Sequence, residues 1–491
     1  KGANKLKNLT VNSSEQEPTQ IGEGVELVNG IIGRGCRIFY GCKAVRFIMG
    51  SNCSLKYGAR LIHSFMGDNS TVSCCELLNN LIFPAHEQHH NNSFLVAALV
   101  LGQSNIAAGA TIGSNHNSRS NDNEIIAGRG FWPGLCTSLK HSSRFASFVL
   151  LAKSDYPAEL NIPLPFSLVS NNAANDRLDV MPAFWWLYNM YALARNSWKF
   201  AARDKRIRKV QNIEFDSLAP DTVEEIIHAR ELLELWVGAA LVASKERPAA
   251  ARAADETKPR EAGRAWLAGA DGPANLVVRA PGLEKSRRAT VIRKPREAYA
   301  AYGQMLAHYA CTALLGWMEE DTERTYSKMC ETLAGSRVKS WVNLGGQLVE
   351  ESDVDTLRAD VSSGKIDSWK AVHERYDELW SGYPLARQKH AFAVYCRIAS
   401  DAGTVPPAGI PSATTWRAFM ENGIAIQEIV RDRVYESRKK DYENPFRRAT
   451  YRNEAEMLAA LGTVDENSFV IRVREETDAY RERVEAVLAR D

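Results

Sequence analysis

The chain has 491 residues, 45% hydrophobic and 24% charged, an ordinary globular composition that excludes a disordered polyelectrolyte, a collagen-like fibre and a coiled-coil rod. Lys and Arg number 61 against 59 Asp and Glu, a net charge of +2, too little for a broad basic face toward duplex nucleic acid. The longest apolar run, Phe94 to Leu101, is far short of the roughly 20 residues that cross a bilayer, so neither a membrane nor a nucleic-acid partner is expected.

Residue 1 is Lys and no charged-then-apolar leader follows it, so the chain reads as lacking an N-terminal portion. Residues 1–20 read as a flexible segment. Residues 32–48, 49–65 and 66–82 then align as repeats of 17 residues, each opening on an aliphatic residue and Gly (Ile32-Gly33, Met49-Gly50, Met66-Gly67). Further apolar anchors follow at Ile38, Leu55 and Val72, and at Ala44, Leu61 and Leu78. An aliphatic residue every five or six positions, with Gly or Asn between, suits neither a helix nor an alternating strand. It suits a three-sided solenoid whose corners need residues tolerant of positive φ. The pattern returns at Leu101–Ile112, so residues 21–170 are expected to form a left-handed parallel β-helix of the hexapeptide type, with an inserted loop at 83–100.

Residues 171–245 read as a helical region. Phe184, Trp185, Trp186, Tyr188 and Tyr191 supply rings for docking against the solenoid, and Thr222-Val-Glu-Glu225 has capping-box form. The Ala-, Arg- and Pro-rich stretch 246–292 reads as a variable, partly mobile insertion, and 293–491 as an α-helical C-terminal region. The fold class is therefore α+β. The nine cysteines form no CxxC and no finger spacing, as expected for reduced thiols in a cytoplasmic protein.

Polar crowding between residues 86 and 155 marks the candidate site. Histidine serves as a general base near neutrality, and His116 is the first choice, with His90 and His141 as further catalytic candidates. Intervals of 26 and 25 residues separate these three, so a solenoid could stack them about 5 Å apart. His86, His89, Asn91, Asn92, Asn115 and Asn117 are expected to read a sugar's hydroxyl and amide groups. Arg119, Arg129, Lys140, Arg144 and Lys153 would hold phosphate or carboxylate. No metal ligand set is assigned and no cofactor can be named. The Walker loop and the Gly-x-Ser-x-Gly elbow are both absent.

The stretch LIFPAHEQHHNNSFLVAALVLGQSNIAAGATIGSNHNSRSNDNEIIAGRG that opens residues 81–171, the segment MPAFWWLYNMYALARNSWKF (181–200) and NPFRRATYRNEAEML (444–458) resemble an uncharacterised bacterial family found chiefly in Bacteroidetes and spirochaetes. The resemblance implies a hexapeptide β-helix in a longer protein. Members are sometimes labelled UDP-N-acetylglucosamine pyrophosphorylase, although the Gly-rich nucleotidyltransferase loop that this activity needs is missing here. The expectation is a transferase acting on a sugar or sugar nucleotide, by acyl transfer with a histidine base. A homotrimer is implied by analogy with hexapeptide transferases. The alternatives are a non-enzymatic scaffold and a metal-dependent enzyme.

Overall fold

The computed structural model describes residues 4–114, 118–245, 257–406 and 409–490. Its first part is a parallel β-solenoid of about ten turns, whose strands stack into three faces. The first face stacks Glu26, Lys43, Arg60, Glu76, Phe94, Thr111, Ser138 and Asp155 in parallel register. The second stacks Ile31, Ile48, Phe65, Leu81, Leu99, Ile126 and Arg144. The third runs from Gln20–Ile21 through Glu87–Gln88 and later through Trp132–Pro133, Leu150–Leu151 and Leu168–Asn172.

The expected anchors Ala44 and Leu61 on the first face and Ile38, Leu55 and Val72 on the third point inward and are buried, and Leu27 extends the first-face column. The corners form three columns of positive φ, one after each face. Asn29, Arg46, His63, Asn79, Ala97 and Ser142 follow the first face; Asn52, Asn69, Ala85, Gln103 and Phe148 follow the second; Tyr40, Tyr57, Cys74, Asn92 and Cys136 follow the third. The opening glycines have a separate role. A Cβ on Gly33 would lie 2.5 Å from the Gly50 carbonyl carbon, and one on Gly67 would lie 2.7 Å from the Pro84 nitrogen, so adjacent coils are too close there for any side chain.

Several expectations are corrected. Residues 5–11 are not a loose lead-in, because Lys5–Val11 pairs with Glu26–Ile32 as the first rung. The third anchor of its repeat is Leu77, not Leu78: Arg60 pairs with Glu76, a coil one residue short of 17, so Leu77 turns inward. Residues 83–100 are not an inserted loop. Glu87–Gln88, Phe94–Val96 and Ala98–Val100 are rungs of the three faces, and the period looked broken because their interior is partly polar. The real excursion leaves after Thr111–Ile112 and returns at Ile125–Ala127. Thr111 consequently pairs with Ser138 and Ala98 with Ile125, about ten residues beyond a regular coil.

The last solenoid strand, Leu168–Asn172, turns into an antiparallel partner, Arg177–Met181, which pairs in turn with Ala289–Ile292 and, beyond it, Val278–Arg279. The expected insertion thus supplies two strands of the sheet and the helix Thr257–Leu267, although 246–256 lies outside the described residues. Seven main helices follow the solenoid: α1 (Met190–Ala202), α2 (Pro220–Lys245), α3 (Thr257–Leu267), α4 (Pro295–Glu319), α5 (Trp369–Asp401), α6 (Ala413–Glu443) and α7 (Ser468–Leu488). Buried Trp185 meets Trp132 of the third face with ring centroids 5.5 Å apart. The expected capping box is not formed: α2 starts at Pro220, Thr222 Oγ accepts from Ala219 N–H, and Glu225 turns toward the solenoid to accept from Ser147 N–H at 2.9 Å. No helix among the described residues is long and apolar enough to cross a membrane.

Candidate functional site

The polar side chains expected to share one cleft are distributed over separate parts of the triangular cross-section. His86 lies inside the solenoid and is fully buried; its Nδ1 meets Ser104 Oγ at 2.8 Å and its Nε2 meets Gln88 Oε1 at 3.2 Å. Gln88 continues to Ser93, whose hydroxyl donates to Cys75 Sγ. Burial lowers the His86 pKa to about 4, so a neutral imidazole links an internal hydrogen-bonded layer. His89, His90, Asn91, Asn92 and Lys153 sit on the corner between the third and first faces. The His89 and His90 rings are 4.5 Å apart, and burial holds the His89 imidazole below its usual value. Beside them Glu87 is taken up by Lys199 and Arg203 of the α1 segment, at 2.8 and 3.2 Å.

Arg129 stands on the corner between the second and third faces, and it faces the helices rather than an open cleft. It is 1% exposed, makes a bidentate pair with Asp221 at 2.8 Å for each bond, and donates to the Asp216 carbonyl. Asp221 and Glu214 raise its pKa against the cost of burial. Arg129 belongs to a polar seam that sequence reading missed. Residues 204–225 climb this corner coil by coil: Asp204 to Asn69, Arg206 to Asp68, Glu214 to Gln103, Asp221 to Arg129 and Glu225 to Ser147. The partners lie far apart in sequence, so no local motif announces them. Acidic residues before α2 opposite one isolated solenoid arginine were the available signal.

The corner between the first and second faces brings a candidate histidine, His141, against a carboxylate. His141 follows strand Ser138–Leu139 and precedes Ser142, which turns the corner at φ 57°. Asp122 comes from the end of the excursion between Ile112 and Ile125. Its Oδ1 lies 3.0 Å from His141 Nε2, with the carboxylate 2% exposed and the imidazole 17%. A buried carboxylate on one ring nitrogen fixes the tautomer that leaves the other nitrogen basic. Lys140 is adjacent, Arg119 is exposed in the excursion, and Arg144 points outward on the neighbouring second-face strand. Asn115, His116 and Asn117, expected at the centre of the site, lie outside the described residues. His90 and His141 do not stack, because the excursion shifts the count and leaves them on different corners. Among the described residues no three His, Cys, Asp or Glu side chains converge as a metal site.

Comparison with known proteins places this architecture. The model of a domain of unknown function, DUF4954, matches residues 1–236, which span the solenoid, its excursion and most of α2. An uncharacterized protein of Treponema pallidum (strain Nichols) is 52% identical over 480 residues, covering 98% of this chain and 63% of that protein. The chain therefore spans less than two thirds of the relative's length, and the likeness runs through the helical region as well as the residues that match DUF4954.

Proposed function

We propose that this protein is a transferase that moves an acyl group to a sugar or sugar nucleotide, with His141 as general base and Asp122 as its orienting partner. The observation that carries the proposal is the 3.0 Å contact between the two at the root of the excursion. In this reading His141 Nδ1 takes the proton from the acceptor hydroxyl or amine as that atom attacks the thioester carbonyl of an acyl-CoA. The thiol leaves with the proton as the new ester or amide bond forms. Arg119, Lys140 and Arg144 are the cations expected to take the phosphates of either substrate. The nine thiols are free, five of them buried, which suits a cytoplasmic setting. Screening nucleotide sugars with acyl-CoAs for thiol release tests the reaction. Asp122→Asn should then lower kcat by about 10²-fold or more with little change in melting temperature; an unchanged kcat would remove the dyad from the mechanism.

A second observation favours self-association, and equally the scaffold reading. Ile31, Ile48, Phe65, Leu81, Leu99 and Ile126 form one unbroken outward column on the second face, with Ile31, Ile48, Leu81 and Ile126 between 38% and 46% exposed. At about 4.8 Å per rung the wall runs about 24 Å, flat and apolar, which marks an interaction surface. We propose that three copies pack through these walls. The chain should sediment as a trimer and the Ile48→Arg/Leu81→Arg variant as a monomer. A monomeric parent chain would contradict this.

A further inference from the structure

A second site, independent of the His141 corner, lies where the added sheet meets the start of α4. A cavity of about 850 Å³ opens there, lined by Trp266, Gly272, Arg293, Lys294 and Arg296 among others, within the usual size range of small-molecule sites. Its buried polar groups are donors without acceptors. Trp266 is 6% exposed, yet its indole Nε1 has no hydrogen-bond partner. Gly272 packs against the same edge of the indole, where a Cβ would lie 2.9 Å from Nε1. The Arg296 guanidinium stacks on the Trp266 ring at 3.9 Å and gives one Nη to the Ala270 carbonyl, while its buried Nε is also without a partner.

The backbone adds to this set. The 25-residue helix α4 begins at Pro295 with Lys294 as N-cap, at φ 51° and with no side-chain cap. Pro295 carries no N–H and the Ala298 N–H bonds the Lys294 carbonyl, so the N–H groups of Arg296 and Glu297 are the ones that lack the acceptor a Ser or Asp N-cap would supply, and the helix dipole favours negative charge at this end. Arg293 and Lys294 are exposed beside it, and Arg177 is held by Asp179 at 3.0 Å. The carboxylates lining the cavity, Asp271 and Glu297, are both exposed. Unpaired buried donors are costly, and here they converge with an uncapped helix start and several cations.

We infer that this cavity binds a diphosphate group, its oxygens accepting from Trp266 Nε1, Arg296 Nε and the first turn of α4, with Arg293 and Lys294 supplying charge. The remaining volume would take an organic portion such as a nucleoside. Calorimetric titration of the full chain with inorganic pyrophosphate and, separately, with uridine diphosphate tests the site. Either probe should bind. Tighter binding of uridine diphosphate identifies a nucleotide as the source, and equal binding identifies the inorganic group. Arg296→Gln and Trp266→Phe should each weaken the better probe at least about tenfold. Arg293→Glu, at an exposed position that folding does not need, should do the same if either of the others melts early. The inference fails if neither probe binds at millimolar concentration, or if affinity survives these substitutions. Thiol release by the His141 corner is a separate readout, so loss of one assignment leaves the other standing.

Discussion

Arg129→Ala is expected to destabilise the protein by about 3–5 kcal/mol, the usual consequence of removing one partner from a buried ion pair. The residue is 1% exposed and joins a solenoid corner to Asp221 in the first turn of α2 and to the Asp216 carbonyl. Its loss leaves the Asp221 carboxylate, 16% exposed, without its cation and frees the helical layer at the centre of the seam. Asp221→Leu alone should cost a similar amount because it leaves a buried guanidinium unpaired. The double variant Arg129→Met/Asp221→Leu should lose clearly less than the two singles together, since no charge then remains buried. Urea unfolding followed by tryptophan fluorescence measures all three. A shift within 1 kcal/mol for Arg129→Ala would show that the seam does not hold the layers together.

Glu225→Gln should stabilise the protein at alkaline pH and leave it unchanged in acid. Burial, reinforced by Asp221, raises the Glu225 carboxyl to about 7 from an ordinary 4.5. A group whose native pKa is raised contributes stability that is full below pH 4.5 and is lost as pH climbs to about 7. The difference is about 3 kcal/mol. Glutamine keeps an acceptor for Ser147 N–H and carries no charge. At pH 8 the variant should therefore unfold at higher urea than the parent, by about 3 kcal/mol, and at pH 4.5 the two should coincide. The same advantage at both pH values would place its origin in packing rather than in ionisation.

The solenoid was legible because each rung needs an inward aliphatic residue and a corner residue that accepts positive φ, and Leu55, Val72 and the Asn corners obey this rule. The rule misled wherever the interior departs from it. His86, Gln88, Ser93 and Ser104 stack inside the coil as a hydrogen-bonded layer, so a regular stretch looked like an insertion. The true excursion is flanked by Ile112 and Ile125, both good anchors, and therefore passed unnoticed. That excursion also decided the fate of the histidine spacing. Intervals of 26 and 25 residues are not one coil plus a constant, and His90 and His141 fall on different corners. His141 was recognised as a candidate from its type and neighbourhood. Its partner Asp122 lies within the same polar stretch, and nothing local marks it, because the pairing depends on where the excursion returns. The seam from Asp204 to Glu225 was hidden for a different reason. It is made of contacts between parts of the chain brought together only after both layers have formed.

The site assignment is tested most directly by comparing acyl-CoA thiol release by His141→Ala and His90→Ala in the full chain, once an acceptor sugar is in hand. The first should fall by about 10² to 10⁴-fold and the second should stay within about twofold of the parent, both with parental melting temperatures. Loss of turnover in His90→Ala with full activity in His141→Ala would contradict the account, and would move the chemistry to the opposite corner of the solenoid.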